Sequence, residues 1–163
     1  MAHTKLLHPS DGLPITLHNT GESLLFKVTQ DDSDGRFDYV VGTVNYLGGP
    51  PMHIHIEEDE VMHILEGQLT FKVGDETVEA SAGDVLFVPR GVPHAFVNLQ
   101  QTPARLAGLC IPSRLAQFLA DMAEVPPGPP DPQKMAEIGR RHGVIPAGPP
   151  LAVTLGLLQQ HAG

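Results

Sequence analysis

The chain has 163 residues, a formal net charge of -9, a hydrophobic fraction of 41% and a single cysteine, which fits one domain with its own core. Such an acidic balance repels phosphate backbones and anionic lipid headgroups, so nucleic acid and membrane surfaces are not expected as partners, and one cysteine cannot close a disulfide within the chain. Residues 2–10 lack the apolar stretch of a secretory signal and no apolar run is long enough to span a bilayer, so a cytoplasmic protein is expected.

In chain order, residues 1–36 read as an arm and a first strand. His3, His8 and His18 stand among prolines and glycines as surface residues, with a short strand at Ile15–Leu17 and a longer one at Ser23–Thr29. The acidic run Asp31–Gly35 lacks the spacing of a calcium loop and is read as a plain turn. Phe37–Leu47 is the next strand. Alternation leaves open which of its faces turns inward, and Tyr39, Thr43 and Asn45 are the polar candidates for lining a cavity.

Between Gly48 and Gly67, His53 and His55 share one strand face, and Glu60 can aim a carboxylate at the same point once the chain resumes as a strand. Glu57, Glu58 and Asp59 read as a solvated acidic turn, and His63 falls on the opposite face from Glu60, Met62 and Ile64. Gly74-Asp75 marks a hairpin between Gln68–Val73 and Glu76–Glu79, and further strands are expected at Val85–Val88, His94–Leu99 and Arg105–Ile111. Pro89, Gly91 and Pro93 form a tight turn that delivers His94 to a strand start, with Phe96 and Asn98 on its face.

Residues 112–163 change character. Ser113 is expected to cap a helix over 114–123 with Leu115, Phe118, Leu119 and Met122 on one face. A proline-rich linker follows, then a helix capped by Asp131, opened by Pro132 and ended by Arg140, Arg141 and His142 before Gly143. The chain then runs extended to Pro150, with a short helix over 151–160. These helices are expected to pack outside the sheet; the alternative is a lid over the barrel mouth touched by Phe118 or Met122.

The segments Gly48–Gly67 and Gly83–Asn98 follow the spacings G(x)4-5HxH(x)3-4E(x)6G and G(x)5PxG(x)2H(x)3N, the first with four residues between His55 and Glu60. On these residues the chain resembles the cupin superfamily, and within it single-domain bacterial proteins of the quercetin 2,3-dioxygenase-like group. The resemblance implies an all-β double-stranded β-helix (jelly-roll barrel) over 37–111, with a C-terminal helical extension in one structural domain, and a homodimer. It implies one metal held by His53, His55, Glu60 and His94, and oxygenolytic opening of a flavonol-type ring. Nitrogen and oxygen donors suit several divalent ions, with iron, nickel, manganese or cobalt favoured over zinc for an oxygenase because they keep positions open beyond four protein ligands.

Glu60 is the best general-base candidate. Met52, Met62, Phe71 and Phe96 would line a pocket for a flat, largely apolar small molecule. Val61, Leu65 and Leu69 form an apolar set expected to face outward toward a second copy. The other readings are a non-redox lyase, cyclase or isomerase, and a non-catalytic small-molecule binder.

Overall fold

The computed structural model describes residues 4–128 and 131–158. Strands β1 (Leu13–Leu17) and β2 (Glu22–Val28) form a hairpin, a one-turn helix α1 (Gln30–Ser33) replaces part of the expected acidic turn, and β3 (Asp38–Val44) returns along β2. There follow β4 (Pro51–His55), β5 (Asp59–Glu66), β6 (Gln68–Val73), β7 (Glu76–Ser81), β8 (Val85–Val88), β9 (His94–Val97) and β10 (Ala104–Ile111). The remainder is α2 (Leu115–Ala123), α3 (Pro132–His142), β11 (Val144–Pro150) and α4 (Leu151–Thr154). The expected last helix ends at Thr154, and its positions 159 and 160 lie outside the described residues, as do His3 and the linker positions 129 and 130.

The strands form two antiparallel sheets, one in the order β1-β2-β3-β10-β5-β8 and the other β11-β4-β9-β6-β7. This is the jelly-roll barrel. The arm and the extension belong to it, because β1 and β2 extend the first sheet while β11 forms an edge of the second against β4. Ile64, Leu69, Phe71, Val88 and Phe96 fill one end of the space between the sheets. No described helix is long and apolar enough to cross a membrane.

The structure settles the face of β3, which alternation leaves open, and reverses that of Leu69. In β3 the inward set is Asp38, Val40, Gly42 and Val44, so Tyr39 and Thr43 point outward, and Asn45 is exposed beyond the strand end. Leu69, expected outside, is fully buried in the core. The chain leaves the six-stranded sheet at Gly67, with φ +77°, and enters the five-stranded one with β6. Alternation counted through β5 therefore does not carry across that corner.

Asp38 explains the inward face of β3. Its carboxylate, fully buried, accepts hydrogen bonds from the Ser113 hydroxyl and from the backbone N–H of Ala116 at 3.1 Å. Asp38 therefore caps α2 from a distant strand, in place of the expected Ser113 cap. Helix α3 keeps its expected ends: Asp131 accepts from the backbone N–H groups of Gln133 and Lys134, and Gly143 closes it in the left-handed conformation. Gly139 lets α3 lie against β11, since a Cβ there would sit 2.4 Å from the Val144 carbonyl oxygen.

Candidate metal centre

His53 and His94 are directly opposite each other on the paired strands β4 and β9, and His55 follows two residues along on the same side as His53. The loop carrying His94 is tied to the first histidine segment in two places. Gly91 N–H donates to the His55 carbonyl at 2.8 Å, and the Arg90 guanidinium forks onto the Asp59 carboxylate at 3.0 and 2.7 Å. The same fork holds the half-buried Asp59 carboxyl down at about 2.

These elements bring one ligand atom from each of His53, His55, Glu60 and His94 within 4.8 Å of one another. The imidazoles are aimed by their far nitrogens. His53 Nδ1 donates to the Pro51 carbonyl at 2.8 Å, His94 Nδ1 to the Val92 carbonyl at 2.9 Å, and His55 Nδ1 to Glu58 at 3.0 Å. With its proton committed to Nδ1, a neutral imidazole presents a bare Nε2 lone pair to the centre. Glu60 Oε2, buried, has no hydrogen-bond donor and stands 2.6 Å from His94 Nε2. Two bare acceptors so close repel, a repulsion that a cation bound by both relieves, and this His/Glu cluster is suited to a metal ion.

The protonation balance agrees at His53 and Glu60, whereas at His55 the two carboxylates favour the charged form until a cation takes the proton's place. Burial, reinforced by the neighbouring His94 and His55, holds His53 down at about 3, which keeps it neutral. Burial also works against the charged form of His55, but the carboxylates of Glu60 and Glu58 outweigh it and raise its pKa. Burial opposes ionisation of Glu60, and the three histidines overcome it, holding the carboxyl well below the usual range.

Glu58 corrects the reading of the acidic turn. It is 1% exposed, and its carboxylate orients His55 instead of meeting solvent. The one signal in the sequence is the extra residue between His55 and Glu60, which places an acid three positions after the histidine. The other two acids of the turn pair with Arg114 and Arg90. His63 is exposed, on the face opposite Glu60.

A cavity of about 170 Å³ opens from the tetrad. Of the seven pocket candidates only Phe96 lines it. Tyr39, Thr43 and Asn45 face away as described. Met52 lies opposite His53 on its strand and packs outside the five-stranded sheet with Ala95, Val97 and Leu151, while Met62 and Phe71 fill the barrel core. The walls come instead from Leu24, Val40, Leu106 and Val144, and from Leu115, Phe118, Leu119 and Met122 of α2 with Met135 of α3. The helices therefore cover the barrel mouth, contrary to the expectation that they pack outside. Asp121 of α2 ties them together by a hydrogen bond to His142 of α3 at 2.8 Å. Sequence reading also missed Glu22 and Cys110 in this lining; the Cys110 thiol donates to Glu60 Oε1 at 3.4 Å.

Residues 41–112 match the family model described as a cupin domain. Over that stretch, under half of its length, the chain is similar to a cupin domain. A predicted oxalate decarboxylase from Thermotoga maritima superposes on this chain with a TM-score of 0.60 at 19% identity, over 66% of this chain and 98% of that one, a likeness of fold alone. The polyketide cyclase RemF from Streptomyces resistomycificus superposes with a TM-score of 0.59 at 25% identity, over 67% of this chain and 80% of that one. In sequence, the tetracenomycin polyketide synthase protein TcmJ from Streptomyces glaucescens is 35% identical over 54 residues, 33% of this chain and 36% of that protein. The oxidoreductase iacF from Pestalotiopsis fici is 39% identical over 51 residues, 31% of this chain and 25% of that protein. The chain spans less than half the length of the curated relatives it matches, between 25% and 44%.

Proposed function

We propose that this cupin is a metal-dependent enzyme acting on an apolar, ring-bearing small molecule with an enolisable carbonyl. The observation that carries this reading is the set of three imidazoles, each fixed through Nδ1, facing an undonated Glu60 oxygen at the end of an apolar cavity. His53, His55, Glu60 and His94 would hold a divalent iron, nickel, manganese or cobalt ion. When bound, that ion supplies Lewis acidity toward a carbonyl oxygen and positions beyond the four protein ligands. Glu60 takes the proton that a substrate loses on forming an enol. Phe96, Phe118 and Met122 exclude water and hold the rings flat. Cys110, pushed well above its ordinary value by burial and by the neighbouring Glu60, stays a protonated thiol.

A non-redox proton transfer with ring closure is the reaction class best supported, because RemF and TcmJ are named for polyketide chemistry and both resemble this chain. A ring-opening dioxygenase is the second reading, favoured by the similarity to the oxidoreductase iacF. Elemental analysis followed by turnover of aromatic 1,3-diketones and flavonols, with and without dioxygen, separates them. Anaerobic turnover supports the first and oxygen-coupled turnover the second. Equal metal content in the parent and in His53→Ala and His94→Ala variants overturns both.

We also propose a homodimer formed through the outer face of the six-stranded sheet, where Val85, Phe87, Ile111 and Tyr39 are exposed apolar or aromatic side chains. Light scattering giving the 17.5 kDa mass of one chain would refute it.

A further inference from the structure

Glu22 sits on β2 at a position that alternation turns inward with Leu24 and Phe26, and it is 6% exposed. It lines the same cavity as the metal tetrad. Its strand partners are Leu17 on β1 and Val44 on β3, neither of them charged. The Thr20 hydroxyl lies beside its carboxyl and is itself buried without a well-formed hydrogen bond. Among the described residues no cation pairs with Glu22. The other titratable groups facing the cavity are the tetrad, Cys110 and, at the exposed rim, His18; α2, α3, β3 and β11 contribute only uncharged groups. A carboxyl with only a hydroxyl beside it, in a wall otherwise apolar, is costly to the fold unless something enters to meet it.

We propose that Glu22 is a specificity-determining residue: as the neutral acid it donates a hydrogen bond to a carbonyl oxygen of an apolar, ring-bearing ligand, at a point in the cavity separate from the metal ligands. The proposal rests on the reading above only in taking that ligand to be the substrate. Burial raises the carboxyl from its ordinary 4.5 to about 7, partly offset by Thr20, so the donating form is present in mildly acidic solution and is lost as pH rises past neutrality. A ketone cannot pair with the ionised carboxylate, since both are acceptors only. Substrates with a carbonyl remote from the metal-binding group are thereby favoured over hydrocarbon analogues of equal size.

The test uses the metal-loaded protein and two probes of the same shape, 2-acetylnaphthalene and 2-isopropylnaphthalene, which differ by one ketone oxygen. Affinities are measured by calorimetry at about pH 6 and about pH 8.5, on either side of the Glu22 transition. In the parent protein the ketone is expected to bind about ten-fold tighter at the lower pH and to lose most of that preference at the higher. Glu22→Leu should bind both probes equally. Glu22→Gln, whose amide donates at every pH, should keep the preference throughout. Chelator-treated protein should keep it too, so a failure of the metal reading leaves this one standing. Equal affinities in the parent at the lower pH, no binding of either probe, or a preference that survives Glu22→Leu and disappears on chelator treatment would each overturn it.

Discussion

Replacing Glu22 by glutamine should stabilise the protein, and only where the native carboxyl would be charged. The side chain is 6% exposed, and burial moves its pKa from 4.5 in the unfolded chain to about 7 in the fold. Between those values the folded state keeps a proton that the unfolded state has released, so stability falls as pH rises through the window, and the whole cost is present above about 7. A shift of that size corresponds to roughly 3 kcal/mol. Glutamine matches the neutral acid in shape and never ionises. Urea unfolding followed by circular dichroism, on chelator-treated protein so that no cation compensates the carboxylate, should show Glu22→Gln near the parent at about pH 4.5. The variant should then gain roughly 2–3 kcal/mol over the parent by about pH 8. A stability difference that stays constant across that range would show that Glu22 is not buried as a lone acid, and would undo the reasoning.

Removing the carboxylate behind His55 with Glu58→Ala should weaken metal binding by roughly 10- to 100-fold while the fold persists, as read by competition with a chromophoric chelator. Unchanged affinity would mean that Glu58 does not orient the ring. Asp38→Ala leaves the Ser113 hydroxyl and the Ala116 N–H without their acceptor and should cost about 2–3 kcal/mol in chemical denaturation, with no loss if α2 is capped otherwise. Gly49→Ala would place a Cβ 2.0 Å from the Phe96 carbonyl oxygen at φ +145°, so soluble expression should collapse; a variant with the parent's melting temperature would contradict the packing.

Local chemistry made much of this molecule legible in advance. The β8 strand spans the same residues that its apolar run predicts, and α3 begins and ends at its Asp131 and Gly143 signals, because a turn or a cap is a contract between residues a few positions apart. The histidine and glutamate spacings could be read for the same reason: alternation within one short strand sets His53 beside His55. What could not be read was the environment on each side. Glu58, surrounded by acids, looks solvated until Nδ1 of His55 is known to lie against it. The lid role of α2 depends on Phe118 and Met122 meeting a cavity whose other wall is β2.

By itself, then, the order of residues determined the strand pattern, the two segments that carry the candidate metal ligands and the caps of α3, since these follow from interactions of short range along the chain. Only the tertiary structure decided which face of β3 turns inward, what covers the barrel mouth, and that Glu22 shares a cavity with the tetrad. Alternation gives any strand two faces without saying which is buried. For β3 that choice was settled by partners far along the chain, with Asp38 drawn inside by Ser113 and the start of α2.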